Sequence, residues 1–150
     1  MIEPRTTRGI GPQLSTNNRL LSLGDSIRAF ADKTGDTIEQ VHRNVSFKLF
    51  RAIVYATPVD TGLARGSWIP SAGAPVLGGT ALDAPATVEA RIQSVVESAT
   101  TDDILFLSNN VEYIIPLEYG WSQRQAPEGM VRINVARFQS MINEAVREAR

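Results

Sequence analysis

Two stretches of the chain repeat apolar residues at spacings of three and four, and this pattern constrains the fold more than any other feature. The first stripe consists of Ile38, Val41, Val45, Leu49, Ala52 and Ala56, and the second of Val131, Val135, Phe138, Ile142, Ala145 and Ala149. Such spacing places apolar side chains on one face of a helix. We therefore predict long amphipathic helices over residues 36–57 and 127–149.

The ends of these helices carry recognisable signals. Asp36, with Glu39 three residues later, is typical of a helix start, and Pro58 disfavours helical geometry in the residue before it. Pro127 suits the first position of the second helix, because a proline there loses no hydrogen bond.

The centre of the chain predicts a small sheet. Residues 66–71, with bulky Trp68 and Ile69, fit a strand, and Ile104–Leu107 is an uninterrupted apolar run that suits a strand buried on both faces. Residues 87–99 favour a helix, with a strand as the competing assignment. The sequence thus predicts an α+β fold: two long helices packed on a small, mostly antiparallel sheet. We expect one domain over residues 21–150, preceded by an extended arm over residues 1–20.

Composition removes several classes of function. The chain has no cysteine and a single histidine, which excludes disulfides, cysteine-based zinc sites and thiol catalysis. His42 has no designated acidic or nucleophilic partner, so we interpret it as a surface or interface residue. The net charge of −1 disfavours a general nucleic-acid binder. No stretch has the pattern of a membrane helix or a signal peptide, so we expect no membrane association and either an intracellular protein or part of a particle assembled inside a cell.

Acidic charge is concentrated in one segment. Residues 83–118 hold seven acidic side chains against Arg91 alone, whereas residues 1–66 have a net charge of +3. Asp102, Asp103, Glu112 and Glu118 belong to this segment and could in principle form a carboxylate metal site, but their spacing matches no known metal-binding loop. We interpret them as solvated acids and expect no metal site.

The triplet Asp60–Thr61–Gly62 occurs in aspartic proteases of the retroviral type, which build a carboxylate pair by dimerising. That site needs a turn after a strand, whereas a helix and Pro58 precede the triplet in this chain. We interpret it as a turn after the helix, in which Asp60 bonds backbone amides and Gly62 takes a positive φ. A dimeric aspartic protease using Asp60 remains an alternative, as does a small binding module with a ligand pocket.

Aromatic residues cluster around Gly120: Tyr113, Tyr119 and Trp121. Such a cluster could stack nucleic-acid bases, but no basic residues surround it. A packed aromatic patch at a fold or subunit boundary fits better.

Two segments together resemble a known family. Residues 57–68 read TPVDTGLARGSW, and residues 107–132 read LSNNVEYIIPLEYGWSQRQAPEGMVR. Their order and separation resemble tail-component proteins of tailed bacteriophages, the type-one neck or tail-completion proteins of long-tailed phages. The resemblance covers roughly residues 36–150. Departures from the usual pattern occur at Leu63 and Ala64, at Ser122–Gln125, which is about one residue longer, and at Glu128.

The resemblance implies a structural virion protein without enzymatic activity or cofactor. Such a protein forms a homo-oligomeric ring, hexameric or dodecameric, at the head–tail junction or the head-proximal end of the tail. It meets head-closure, tail-terminator and tail-tube proteins, and genomic DNA passes through its lumen without sequence-specific binding. A tail-tube terminator is the neighbouring alternative. On this reading Asp102, Asp103 and Glu112 are candidates to line the channel, where acids would repel phosphate.

We expect Pro58–Arg65 and Leu117–Met130 to shape one assembly surface, with Trp68 and Trp121 as its anchors. The residues assigned to it are Pro58, Val59, Asp60, Thr61, Gly62, Arg65, Trp68, Leu117, Glu118, Tyr119, Gly120, Trp121, Ala126, Pro127, Gly129 and Met130. The alternative is that both motifs only terminate helices and hold the fold.

Overall fold

The computed structural model describes Arg28, residues 30–32 and residues 35–148, with side chains described as far as residue 143. The predicted arm over residues 1–20 lies outside the described residues. From residue 35 onward the elements are α1 (Ile38–Ala56), α2 (Leu63–Gly66), β1 (Trp68–Ala72), α3 (Pro85–Ser98), β2 (Leu105–Asn109), α4 (Ile114–Glu118) and α5 (Val131–Glu148). Residues 28 and 30–32 are also helical. The predicted α+β class is confirmed.

Helix α1 follows the first apolar stripe, but its N-terminal cap lies one residue later than predicted. The Thr37 hydroxyl accepts from Gln40 N at 3.1 Å, and Gln40 Oε1 accepts from Thr37 N at 2.8 Å. This reciprocal pair is a capping box, so the assignment of Asp36 with Glu39 was wrong. The helix ends at Ala56 and Thr57 is extended (φ −70°, ψ 128°), as the following Pro58 requires.

Strands β1 and β2 form an antiparallel pair in the described part of the chain, with Trp68 opposite Asn109 and Ala72 opposite Leu105. One face, with buried Trp68 and Pro70, packs on the core. The opposite face, which includes Phe106, is only half-buried. The prediction that Ile104–Leu107 is buried on both faces was therefore wrong, because helices cover one face of this small sheet and not the other.

Helix α3 decides the open assignment of residues 87–99 in favour of a helix. Pro85 stands in its first turn, and Val88, Ile92 and Val96 are fully or almost fully buried. Helix α3 packs mainly against α1 and β1. The core cluster around these buried residues consists of Ile53, Val54, Ala64, Trp68, Val88, Ile92, Val96, Leu117, Ala126 and Met130.

Helix α5 starts at Val131, four residues later than predicted from Pro127. Gly129 has φ +84°, a left-handed conformation that a right-handed helix cannot include. Residues 127–130 are therefore a loop that leads into the helix. Among the described helices, none combines the length and apolarity needed to cross a membrane.

Candidate assembly surface

The turn after α1 is held by side chains that lie behind it. The Thr57 hydroxyl donates to Ile53 O at 2.8 Å and accepts from the Trp68 indole Nε1 at 2.8 Å, so one buried hydroxyl joins α1 to β1. Arg65 donates to Thr57 O and Tyr55 O at 3.2 and 3.0 Å. A cation on the last carbonyls of a helix also complements its dipole. The chain can therefore reverse sharply over Pro58–Gly62.

Within the turn, Gly62 has φ +93°, as predicted. The side-chain hydrogen bond of the turn comes from Thr61, whose hydroxyl accepts from Leu63 N at 3.2 Å. The expected role of Asp60 was therefore wrong, since Thr61 performs it and Asp60 is exposed.

Glu118 closes the N-terminus of α5 from a distant part of the chain. Its carboxylate accepts from Met130 N, Val131 N and Arg132 N at 2.8–2.9 Å, and from Arg132 Nε at 3.0 Å. Desolvation alone would raise the pKa of Glu118, but these backbone amides and the Arg132 guanidinium outweigh it and lower the pKa below its usual value. A carboxylate at this position satisfies three otherwise unpaired donors and complements the helix dipole.

Two glycines allow the segments around Glu118 to approach each other closely. A Cβ on Gly129 would stand 2.2 Å from Glu118 O, and a Cβ on Gly120 would stand 2.6 Å from Pro127 O. Both residues also have positive φ, +84° and +89°. The motif Leu-Glu-Tyr-Gly and the motif Ala-Pro-Glu-Gly-Met are thus two halves of one interlocked structure.

Gln125 joins this structure to the turn after α1. Its amide accepts from Val59 N at 2.8 Å and donates to Val59 O at 3.1 Å, so it satisfies both backbone groups of one residue. The two segments that sequence analysis placed on one surface are therefore in direct contact.

Between them lies an open groove of about 530 Å³. Its lining combines apolar side chains with a polar rim: Pro58, Val59, Asp60, Thr61, Gly62, Leu63, Ala64, Tyr113, Leu117, Trp121, Ser122 and Gln125. Trp121 is 65% exposed although it is one of the largest apolar side chains of the chain. Its ring meets Tyr113 edge to face, with centroids 6.4 Å apart and an interplanar angle of 74°.

The predicted interface residues divide into two groups. Val59, Asp60, Thr61, Tyr119, Trp121 and Pro127 are exposed. Trp68, Leu117, Ala126 and Met130 are buried at 8% exposure or less, and Gly120 and Gly129 are buried as well. Trp68 as a surface anchor was therefore wrong, because its ring completes the core and its N–H bonds Thr57. Arg65 and Glu118 direct their polar groups to helix ends within the chain.

The aromatic patch around Gly120 is also divided. Tyr113 and Trp121 touch, as expected of a packed patch, whereas the Tyr119 ring lies under the Arg132 guanidinium at 4.6 Å. Tyr113 and Gln125 were not among the individual residues assigned to the assembly surface, although Gln125 lies within its segment Leu117–Met130. The aromatic cluster in the sequence pointed to Tyr113. Nothing in the local sequence of Gln125 indicates its contact with Val59.

The acidic segment does not form one negative surface. Asp83 pairs with Arg91 at 2.7 Å, Glu89 with Arg51 at 2.9 Å, and Glu118 with Arg132. Asp103 accepts from Thr100 N at 2.8 Å and thereby stabilises a turn. Asp102 and Asp103 precede β2 and Glu112 follows it, so about 17 Å of strand separates them. The charge summed along the sequence overestimates the negative charge of this region in the folded chain, because Arg51 and Arg132 from other segments pair with its acids.

The described residues include no group of three or more carboxylates and histidines arranged to hold a metal ion. Asp60 stands between two helices, α1 and α2, and not after a strand as the aspartic-protease triplet does. His42 is half-buried on α1, and its Nδ1 is buried without a hydrogen-bond partner.

Comparison with known proteins adds no relative: no protein-family model, no curated protein and no solved structure matches this chain.

Proposed function

We propose that this chain is a structural subunit of a tailed-bacteriophage virion. It forms a ring, hexameric or dodecameric, at the head–tail junction or the head-proximal end of the tail, and it acts in tail completion and joining. Its partners are further copies of itself and the head-closure, tail-terminator and tail-tube proteins, and genomic DNA passes through the ring. This proposal rests on the sequence resemblance carried by residues 57–68 and 107–132.

One observation supports it most. The two motif segments, nearly forty residues apart in sequence, meet at a groove whose walls are fastened by the Gln125–Val59 hydrogen bonds. Trp121 is exposed at this groove, so its indole side chain is available to pack into the surface of a neighbouring subunit. Buried tryptophans dominate the energetics of protein interfaces.

The motifs also have a role within the subunit. Arg65 and Glu118 bond the ends of helices, and Gly120 and Gly129 let neighbouring segments approach closely. The alternative interpretation, that the motifs only terminate helices and hold the fold, expects these roles. The two roles are compatible, because the residues that hold the fold shape the groove at which Trp121 is exposed.

The test compares oligomeric state in solution by light scattering and negative-stain electron microscopy. We expect rings with a central pore of at least about 20 Å, wide enough for duplex DNA. Trp121→Ala should abolish these rings and leave a folded monomer, whereas Met141→Ala, which removes another exposed apolar side chain, should retain them. Circular dichroism establishes that both variants are folded.

A wild-type chain that stays a monomer, alone and with phage tails added, would contradict the proposal. A uniform dimer would favour the protease or binding-module alternatives, and cleavage of peptides abolished by Asp60→Asn would decide for the former.

A further inference from the structure

The two strands of the sheet differ in what their outer edges offer. Gly73 N donates to Ile104 O at 2.8 Å in the register of the ladder. Hydrogen-bonded and non-hydrogen-bonded pairs alternate along an antiparallel ladder, and Gly73–Ile104 is a bonded pair. Leu105 and Leu107 therefore belong to non-bonded pairs, and their backbone N–H and C=O groups point away from β1. No described hydrogen bond uses them. Among the described residues, the outer edge of β2 therefore has unpaired backbone donors and acceptors at Leu105 and Leu107.

The outer edge of β1 is closed by comparison. By the same alternation, Pro70 is a position whose backbone faces outward, and proline has no N–H to donate. Residues 81–83 also run beside residues 66 and 67, immediately before β1: a Cβ on Gly66 would stand 2.5 Å from Asp83 O. Ser67 Oγ exchanges hydrogen bonds with Ala81 at 2.9 and 3.1 Å. An additional strand can therefore join the sheet at β2 but not at β1.

The surface beside the β2 edge is apolar in the middle and acidic at its ends. Ile104 is 67% exposed and Phe106 half-buried, both on the face away from the core. Asp102 before the strand and Glu112 after it are exposed. An open apolar edge invites pairing with another chain. The acids at both ends favour a basic occupant.

The N-terminal segment of the chain has these properties. Residues 1–20 contain Arg5, Arg8 and Arg19 against Glu3, a net charge of +2. Residues 5–11, between Pro4 and Pro12, contain no proline, so every residue can donate to a ladder. Seven residues are enough to cover the five of β2. Fully extended, twenty residues reach about 65 Å, compared with a radius of gyration of about 15 Å for a domain of this size.

We propose that residues 5–11 of one copy add a third strand to the outer edge of β2 of the neighbouring copy. This inference rests on the proposed ring, because the arm and the edge are different surfaces, and only such head-to-tail contacts close into a ring of more than two copies. Pairing of β2 with β2 of a second copy would be symmetric and would end at a dimer. Backbone hydrogen bonds hold the arm, and the acids at the ends of β2 attract its arginines.

Disulfide cross-linking tests the contact, since the chain has no cysteine of its own. One sample of full-length protein carries Thr6→Cys, Thr7→Cys or Arg8→Cys, and the other carries Ser108→Cys. The backbone N–H and C=O of Ser108 point toward β1, so Ser108 would form a non-hydrogen-bonded pair with a residue of a strand added on the other side. Side chains stand closest in such pairs. An antiparallel arm whose residues 5–11 cover all of β2 places residue 6, 7 or 8 opposite Ser108, so these three positions include every such register.

We expect mixed oxidation to give a covalent heterodimer with one of the three arm positions. The yield should be at least ten times that with Ser94→Cys, an exposed serine of α3 used as the matched control. Asp102→Lys with Glu112→Lys should lower the yield several-fold, and Glu97→Lys, which changes an exposed acid of α3, should not. Equal yields with Ser108 and Ser94, or no product at all, would overturn the contact. A chain that carries both an arm cysteine and Ser108→Cys, and that cross-links only within itself, would also overturn it.

The mass and images of the wild-type protein separate this inference from the proposed function. Rings without the Ser108 cross-link refute the arm contact and leave the ring proposal intact. A wild-type monomer that does not assemble on phage tails refutes the ring proposal, and with it the arm contact that rests on it.

Discussion

Replacing Glu118 with alanine should destabilise the fold by about 3 kcal/mol. The substitution removes the acceptor of three backbone amides at the start of α5, and a net contribution of about 1 kcal/mol for each hydrogen bond gives that sum. The carboxylate is only 15% exposed, so water replaces it incompletely. Glu118→Gln keeps one acceptor oxygen and loses the charge, so we expect about 1–2 kcal/mol.

Thermal and urea unfolding followed by circular dichroism measure this cost. For a chain of this length, 3 kcal/mol corresponds to a fall in Tm of roughly 6–12 °C. The control is Glu112→Ala, six residues earlier, whose side chain is exposed and makes no described hydrogen bond. It should change stability by less than about 0.5 kcal/mol. If Glu118→Ala costs no more than this control, the cap contributes nothing and our account of the motif is wrong.

The pH dependence of the same cap has a definite sign. Because the folded pKa of Glu118 is lowered, the folded state binds fewer protons than the unfolded state near that pKa. The stabilisation is complete above the unfolded pKa of about 4.3 and is lost as pH falls through the folded pKa. The difference in urea midpoint between wild type and Glu118→Gln should therefore be larger at pH 7 than at pH 3. A difference that grows on acidification would refute the assignment.

Two further substitutions test the packing behind the groove. Gly129→Ala should lower the free energy of unfolding in urea by more than about 3 kcal/mol, because its Cβ would collide with Glu118 O. Gly78→Ala is the control: Gly78 has a similar φ with open space around it, so this substitution should cost only about 1 kcal/mol. Equal costs would show that backbone strain alone matters. Thr57→Val leaves the Trp68 indole N–H without its acceptor and should cost about 1–3 kcal/mol, and an unchanged urea midpoint would contradict the importance of that buried bond.

The helices could be predicted because their signal is local. The stripe from Ile38 to Ala56 repeats over five turns, and no tertiary contact is needed to read it. The ends were harder to predict. Asp36 with Glu39 and Thr37 with Gln40 satisfy the same capping pattern one residue apart, and only the geometry of α1 selects the second pair. Pro127 looked like a helix start, but Gly129 two residues later takes a positive φ and delays the helix.

The sequence predicted which two segments lie together at the candidate site, but it did not predict which of their side chains are exposed there. The order of the two motifs suggested one surface, and the structure brings them together through Gln125 and Val59. Trp68 and Trp121 have the same side chain, and each has a glycine and a serine within two residues, yet one completes the core and the other stays exposed. Burial depends on which residues lie opposite in the folded chain, and the spacing within each motif does not encode that.

The contrasting positions of the two tryptophans give the protein a pair of separate optical reporters. Trp68, 5% exposed and hydrogen-bonded to Thr57, emits from an apolar environment until the chain unfolds. Trp121, 65% exposed, is within reach of a dissolved quencher such as iodide in the folded monomer. Whatever covers the groove would shield Trp121 and leave Trp68 unchanged. The fraction of fluorescence open to quenching therefore follows association, whereas the shift of the remaining emission follows folding, without any attached label.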